Sequence, residues 1–246
     1  RGHRLHGDTV SIDHAARYGD CLAAVGVEVD RGRRAACIRQ AISQSTDQLQ
    51  AEADLPEDLF DELTDLVEAP LLIEGSVADQ YLSLPAEVLS TVMRAHQRYV
   101  PLYRRSAAVD PLALDARDSL LPSFLCIGNV RRGNERVLKA RLADAEFFIQ
   151  ADRAVPSIDR RDQLSRVTFA EGLGSLLDRV ERLEWCTDVL LEQLDLPAAC
   201  ADHARRAAHL CKHDLVSQIV GEFPELQGVM GGKYLLGEGE PREVAL

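Results

Sequence analysis

Apolar residues recur at intervals of three and four along most of this chain, which predicts a mainly helical protein. The clearest case follows Pro56, where leucines at helical spacing predict a helix that ends at Pro70. A second helix is predicted to start at Pro85 and to reach about His96. Three short apolar runs predict strands instead: 71–75, 98–103 and 123–127. The last two are expected to pair as a hairpin with a long connection.

From Gly133 onward the pattern predicts helices alone. They are placed at about 134–151, 163–194 with a bend near Gly172 and Gly174, 199–221, and from about 226. The second of these carries a stripe spaced by three and four: Leu173, Leu176, Leu177, Val180, Leu183, Leu190 and Leu194. The predicted fold class is therefore mainly α (α+β): a small mixed sheet region over 1–132, followed by a helical region over 133–246.

Composition narrows the class of protein. The 246 residues are 46% hydrophobic and carry a net charge of −12, so any nucleic-acid contact needs a local basic patch. Six cysteines without a C-x-x-C pair argue against a zinc knuckle or a disulfide framework and fit a reducing cytosol. No apolar run approaches the roughly 20 residues that a membrane span needs. The chain opens at Arg1 without a signal peptide, and we expect it to be a piece of something longer.

Two basic clusters are candidates for such a patch. The first sets five cations against the single acid Glu135: Arg131, Arg132, Arg136, Lys139 and Arg141. The second interleaves arginines with tyrosines: Arg98, Arg104, Arg105, Tyr99 and Tyr103. Solvated faces without a ligand remain an equal alternative for both clusters.

His209, His213 and Asp214 form an H-x-x-x-H-D cluster, and a spacing of four places both histidines on one face of a helix. Histidine is a common metal ligand and an adjacent aspartate can complete a site, so these residues are a weak metal candidate. The favoured alternative is a helix that binds no metal.

The block Gly221-Glu222-Phe223-Pro224-Glu225-Leu226-Gln227-Gly228 supplies two carboxylates and an amide. The carboxylates could serve acid–base chemistry if one pKa were raised, but a turn at Pro224 is favoured. Phe147 and Phe148 are expected to anchor their helix in the core, and Trp185 is expected in the core or an interface.

Several long motifs occur in a fixed order along the chain. They are Leu84-Pro85-Ala86-Glu87-Val88-Leu89, His96-Gln97-Arg98-Tyr99, the whole run 133–148, the run 174–183 and the run 214–231. Together these motifs resemble the β subunit of the bacterial two-subunit glycyl-tRNA synthetase, and Gly2-His3-Arg4 resembles a further element of that family. The family subunit is longer, so the resemblance implies a central fragment. The junction 127–133 is shorter than the family usually has there.

The resemblance implies the end of a B3/B4-like region over 1–132 and the first part of an HD-like helical domain over 133–246. It implies a subunit supporting ATP-dependent attachment of glycine to tRNA(Gly), in the cytoplasm, within an α2β2 assembly. The active site is expected in the α subunit: this fragment has no catalytic residue and binds no cofactor, while the holoenzyme uses ATP and Mg. The predicted tRNA or partner contacts are Arg131, Arg132, Arg136, Lys139, Arg141, Glu222, Glu225 and Gln227.

Two alternative functions stay open at this point. One is an HD-type metal-dependent phosphohydrolase that uses His209, His213 and Asp214, as the His-Asp doublet does in that class. Related β subunits usually have small residues where His213 stands, which weighs against it. The other is an interaction module without any RNA role.

Overall fold

The computed structural model describes residues 2–3, 7–105, 110–128 and 133–246. They form two compact units. The first unit comprises Arg1–Val109 and Asp115–Leu142, and the second comprises Asp110–Leu114 and Ala143–Leu246. Most described residues are helical, as predicted, with one four-stranded and one two-stranded sheet among them. The B3/B4-like and HD-like assignments remain predictions from the resemblance.

The first unit combines helices with the larger sheet. Its helices are α1 (Tyr18–Ala23), α2 (Arg31–Leu49), α3 (Glu57–Leu66), α4 (Ala86–Thr91) and the start of α5 (Asn134–Arg153). Its strands are β1 (Ala51–Ala53), β2 (Leu71–Ser76), β3 (Tyr99–Arg104) and β4 (Leu120–Gly128). The strand order is β1-β3-β4-β2 and every pairing is antiparallel, so the prediction of a mixed sheet was wrong.

The strand predictions are otherwise confirmed. Strands β3 and β4 form the antiparallel pair expected of the two apolar runs, and β2 adds to the other side of β4. Gly75 lies opposite Phe124, and a Cβ atom at this position would stand 2.3 Å from the phenyl ring. Tyr99 stacks on the same ring with centroids 4.7 Å apart. The central strands thus pack around one aromatic pair that only glycine leaves room for.

Two helices cover this sheet, and their starts follow the sequence signals. The Asp30 carboxylate accepts a hydrogen bond from the Arg33 backbone N–H and caps α2. Pro56 precedes α3 in extended conformation, and two acidic residues fill the first turn. The shared core joins helix and strand residues, namely Ile38, Ile42, Leu59, Phe60, Leu63, Val100, Leu102 and Leu125. The helix predicted from Pro85 is α4 and continues as a π-helical turn, Val92–His96.

The second unit is built mainly from short helices. They are the end of α5, then α6 (Ser157–Gln163), α7 (Leu176–Gln193), α8 (Ala198–Leu210), α9 (Gln218–Glu222), α10 (Val229–Gly237) and α11 (Arg242–Ala245). A β-hairpin of β5 (Thr168–Ala170) and β6 (Gly174–Ser175) separates α6 from α7. The single bent helix predicted over 163–194 was therefore wrong, and so was the purely helical reading after Gly133.

The geometry of the hairpin explains that error. Gly172 and Gly174 adopt φ values of +76° and +83°, which a helix cannot contain. Ser175 then starts α7 with a capping box: its hydroxyl accepts from the Asp178 N–H, and the Asp178 carboxylate accepts from the Ser175 N–H. The two glycines mark a turn between strands rather than a bend.

The helix predicted over 199–221 is also interrupted. Helix α8 ends at Leu210, Lys212 takes a left-handed conformation with φ 68°, and His213–Val216 forms a separate 3-10 turn before α9. The histidine spacing of four consequently does not lie on one continuous helix.

The segment Asp110–Leu114 joins the second unit through an apolar contact of Leu112, an ion pair between Asp110 and Arg242, and a hydrogen bond to Ala113. Leu112 packs with Leu210, Leu235, Val244 and Ala245. The Lys233 ammonium, which is almost fully buried, donates to the Ala113 carbonyl oxygen.

Candidate functional site

Helix α5 carries what the structure describes of the first basic cluster. Arg131 and Arg132 lie outside the described residues. Arg136, Lys139 and Arg141 are exposed. Since each helical residue advances about 100°, Arg136 and Lys139 share one side of α5, whereas Arg141 lies well around the helix from both. The candidate RNA surface within the described residues is thus a pair of neighbouring cations.

The charge around this pair is not cancelled locally. Among the described residues, neither Arg136 nor Lys139 forms an ion pair. The nearby Glu135 carboxylate instead accepts hydrogen bonds from the Ser76 backbone N–H at 2.8 Å and from the Ser76 hydroxyl at 2.7 Å. These bonds hold the pKa of Glu135 below its ordinary value. Glu135 therefore stays anionic but is turned toward β2.

In the second basic cluster, two arginines form ion pairs with carboxylates of the same chain. Arg98 pairs with Glu62 at 2.6 Å, and Arg105 pairs with Asp47 at 2.6 Å. Tyr99 is buried against the sheet, so it offers no exposed ring for a base. Two of the three arginines in this cluster are therefore already paired with carboxylates.

The Glu222–Gly231 block of the second unit combines exposed polar residues with buried apolar ones. Glu222, Glu225 and Gln227 are all exposed, on the end of α9 and a 3-10 turn that Pro224 starts. Between them, Phe223 and Leu226 are buried and fix the turn to the core. The turn expected from the proline is present, and it presents the acidic side chains to solvent.

The three members of the proposed metal cluster go to different partners. The His209 Nδ1 atom lies 2.7 Å from the Glu184 carboxylate. His213 is buried, with Arg160 Nε donating to its Nδ1 at 3.4 Å and the Gly231 carbonyl oxygen 3.2 Å from its Nε2. The Asp214 carboxylate accepts from the Gly228 N–H. Across the part of the chain that the structure describes, no group of three His, Cys, Asp or Glu residues is arranged to hold a metal ion.

His213 belongs to a buried network of hydrogen bonds that is centred on Asp152 and Arg160. The Asp152 carboxylate accepts from the Gln218 N–H at 2.7 Å, the Ile219 N–H at 3.0 Å and the Tyr234 hydroxyl at 2.9 Å. It thereby caps α9 from a distance of more than sixty residues in sequence. Burial first, and the Asp152 carboxylate second, raise the pKa of Tyr234, so this hydroxyl remains a donor.

Arg160 supplies the positive charge of this network. Its guanidinium donates to the carbonyl oxygens of Asp152 and Val155 and to the Ser157 hydroxyl, and it lies over the Tyr234 ring. Burial first, and the adjacent guanidinium second, lower the pKa of His213. The arrangement keeps His213 neutral and leaves neither ring nitrogen open to a metal.

Sequence reasoning missed Asp152 and Arg160 because the partners that join them to the rest of the network, such as His213 and Tyr234, lie 53 to 82 positions away. The local signal for Asp152 was its place three residues after the buried Ile149 of α5; Arg160 had no such signal, since α6 buries only Ser157 and Arg160.

An open cleft of about 470 Å³ runs between α7 and α8. Its lining includes Glu184 and His209, and Glu184 also accepts from Arg161 at 2.8 Å. Burial raises the pKa of Glu184, but the hydrogen bonds from Arg161 and His209 outweigh it and leave that pKa below its ordinary value. The Glu184 carboxylate thus contacts both Arg161 and His209 and links α6, α7 and α8.

One aromatic prediction needs correction: Phe147 is 63% exposed, so it does not anchor the core. Trp185 is 67% exposed and lies outside the core, and its place in an interface stays a prediction. Phe148 is half-buried. In α5 the core positions belong to Leu138, Leu142, Ala145 and Ile149, which leaves the opposite side of the helix for Phe147.

The whole chain, residues 1–246, matches the family model described as glycyl-tRNA synthetase beta subunit. The chain belongs to the glycyl-tRNA synthetase beta subunit family. Its curated relatives include proteins named glycine–tRNA ligase beta subunit. Those of Acaryochloris marina, Gloeothece citriformis and Synechocystis sp. are each 42% identical over 99–100% of this chain. The chain spans about a third, 34–35%, of the length of these relatives.

Membership in the glycyl-tRNA synthetase beta subunit family agrees with the resemblance inferred from the motifs. Within the described ranges, no helix is both long and apolar enough to span a membrane.

Proposed function

We propose that this chain is the central part of a glycine–tRNA ligase β subunit. It acts without a catalytic centre of its own, in the cytoplasm, by placing tRNA(Gly) and by assembling with the α subunit into an α2β2 enzyme. Support comes from the match over all 246 residues to the beta subunit family and from relatives named glycine–tRNA ligase beta subunit. ATP and Mg belong to the α subunit in this proposal.

The observation that carries an RNA role is the exposed pair Arg136 and Lys139, on a protein whose net charge is −12. Two cations three residues apart lie within one turn of α5, close enough to bind successive phosphates. Because no described carboxylate pairs with either, binding a phosphate breaks no existing ion pair. Arg131, Arg132 and Arg141 are proposed as further contacts, and Arg141 lies on another side of α5.

The test uses the full-length subunit with its α partner. The double substitution Arg136→Glu and Lys139→Glu should weaken tRNA(Gly) binding and reduce the slope of log affinity against log salt by about one for each lost phosphate contact. Arg33→Glu is the matched control, since Arg33 is an exposed arginine on α2 with no ion pair among the described residues. If both proteins bind tRNA alike at moderate salt, the α5 cations have no place in RNA binding.

For the α subunit, the proposed contact is the exposed acidic turn that holds Glu222, Glu225 and Gln227. A cluster of carboxylates repels RNA phosphates and suits a protein partner with basic side chains. Glu225→Arg should lower the fraction of subunit that co-elutes with α in size-exclusion chromatography. Unaltered co-elution at concentrations near the dissociation constant would remove this turn from the interface.

The alternative phosphohydrolase function has no support in the geometry, because His209, His213 and Asp214 are engaged with separate protein partners.

A further inference from the structure

One side of α7 carries an apolar row with the spacing of a coiled-coil seam. Its members follow intervals of four, three, four, three and four residues: Leu176, Val180, Leu183, Thr187, Leu190 and Leu194. Such alternation keeps side chains on one stripe of a helix, where a second helix packs between them. Thr187 fits the row because its hydroxyl donates to the Leu183 carbonyl oxygen of the same helix.

This row is here called the α7 seam. Only its first part is buried by other residues of the protein. Val180 is fully buried, and it is the only one of the eighteen α7 residues that is. Leu183, Leu190 and Leu194 are 37%, 58% and 53% exposed. Water therefore reaches the last three turns of a stripe whose first turns enter the core.

Helix α8 does not occupy the α7 seam. It contacts α7 through the pairs His209–Glu184, at 2.7 Å, and Arg205–Asp188, at 2.8 Å. Glu184 lies about 100° around the helix from Leu183, so α8 sits beside the seam and leaves it open.

The charge on α7 and the following turn limits what can cover the seam. From 178 to 195 there are six carboxylates against the guanidinium groups of Arg179 and Arg182. An RNA backbone would be repelled by this surface. The occupant is consequently protein, and the regular three–four spacing fits an amphipathic helix with its own leucine-like stripe.

We propose that the α7 seam is the docking site for a helix from the part of the β subunit that this chain does not contain. The relatives place this region within polypeptides about three times as long, so a covalently linked partner is always present at high effective concentration. The inference rests on family membership and on the seam, and is independent of the RNA contact on α5.

The experiment uses the full-length β subunit, purified without α, in a background whose exposed cysteines are replaced by serine. Single cysteines are introduced as Leu190→Cys and Leu183→Cys in the seam. Glu192→Cys, on the exposed opposite side of α7, is the matched control. Maleimide labelling should be about tenfold or more slower at both seam positions than at the control, and equal at all three in urea. Circular dichroism confirms that each variant is folded.

Three results would overturn the proposal. Labelling of either seam cysteine at the Glu192→Cys rate, in β alone and with α, would mean that nothing covers the seam. Protection that arises only after α is added would assign the seam to the other subunit. Protection that disappears on dilution of β alone would assign it to a second copy of the chain.

Discussion

The buried Asp152 carboxylate accepts hydrogen bonds from two parts of the second unit. Replacing it therefore shows how much the buried network contributes to stability. Asp152 is 4% exposed and accepts three hydrogen bonds, from two N–H groups at the start of α9 and from the Tyr234 hydroxyl. The substitution Asp152→Asn preserves the shape of the side chain. It replaces one of the two acceptor oxygens with an NH2 group that faces a donor.

The expected cost follows from these contacts. Hydrogen bonds to a charged group contribute about 1.5–3 kcal/mol each, and a buried donor left without an acceptor costs about 1–3 kcal/mol. Asparagine retains one acceptor oxygen, so at least one bond is lost and one donor is stranded. We therefore expect the free energy of unfolding of the second unit to fall by about 2–4 kcal/mol.

Hydrogen exchange measures this loss locally, which suits a chain with two units. Protection of the Gln218 and Ile219 amides should drop by about 30- to 700-fold, since 1.4 kcal/mol corresponds to tenfold. The control Asp188→Asn breaks only the exposed ion pair with Arg205. It should change the free energy of opening, measured by the same exchange, by less than about 1 kcal/mol. A change in Asp152→Asn that is no larger than in this control would refute the proposed cap.

Three further predictions concern other buried groups. Burial and the adjacent guanidinium lower the pKa of His213 below its ordinary 6.5, so only the unfolded chain takes up this proton. As the pH is lowered below about 6.5, His213 should reduce the free energy of unfolding, measured in urea, by about 1.4 kcal/mol per pH unit until the folded-state pKa is reached. If the pH dependence of stability is the same in His213→Gln as in the parent protein, this prediction is contradicted. Burial raises the pKa of Cys126 to about 11, so iodoacetamide at pH 8 should label Cys37 and leave Cys126 unmodified in peptide maps. Gly75→Ala should cost about 1–3 kcal/mol in thermal unfolding, whereas Gly19→Ala, which meets no atom within 4 Å, should not destabilise.

Local signals in the sequence predicted much of the fold correctly. Prolines at 56 and 85 marked helix starts, and short apolar runs marked β2, β3 and β4, because each signal acts within a few residues. The β5–β6 hairpin was missed. Ser175 and Asp178 form a capping box that marks the start of α7, but the leucines on both sides of it have the spacing of one continuous helix.

The candidate site was less accessible to sequence reasoning. The break after Leu210 has no glycine or proline, so nothing local showed that His209 and His213 leave the same helix. The partners of Arg160 and Asp152 are fixed only by tertiary packing. The sequence grouped Arg136, Lys139 and Arg141 as one basic cluster, and all three are exposed, but α5 turns Arg141 away from the other two.

The attachment of Leu112 to the second unit has a consequence for biosynthesis. Its apolar neighbours include Val244 and Ala245, and Asp110 pairs with Arg242 across 132 positions. A ribosome adds those distant residues many seconds after it has released Leu112, at about 5–20 residues per second. During that interval Leu112 lacks the apolar neighbours that Val244 and Ala245 supply, so the packing of this segment is completed only when the last helix has been made.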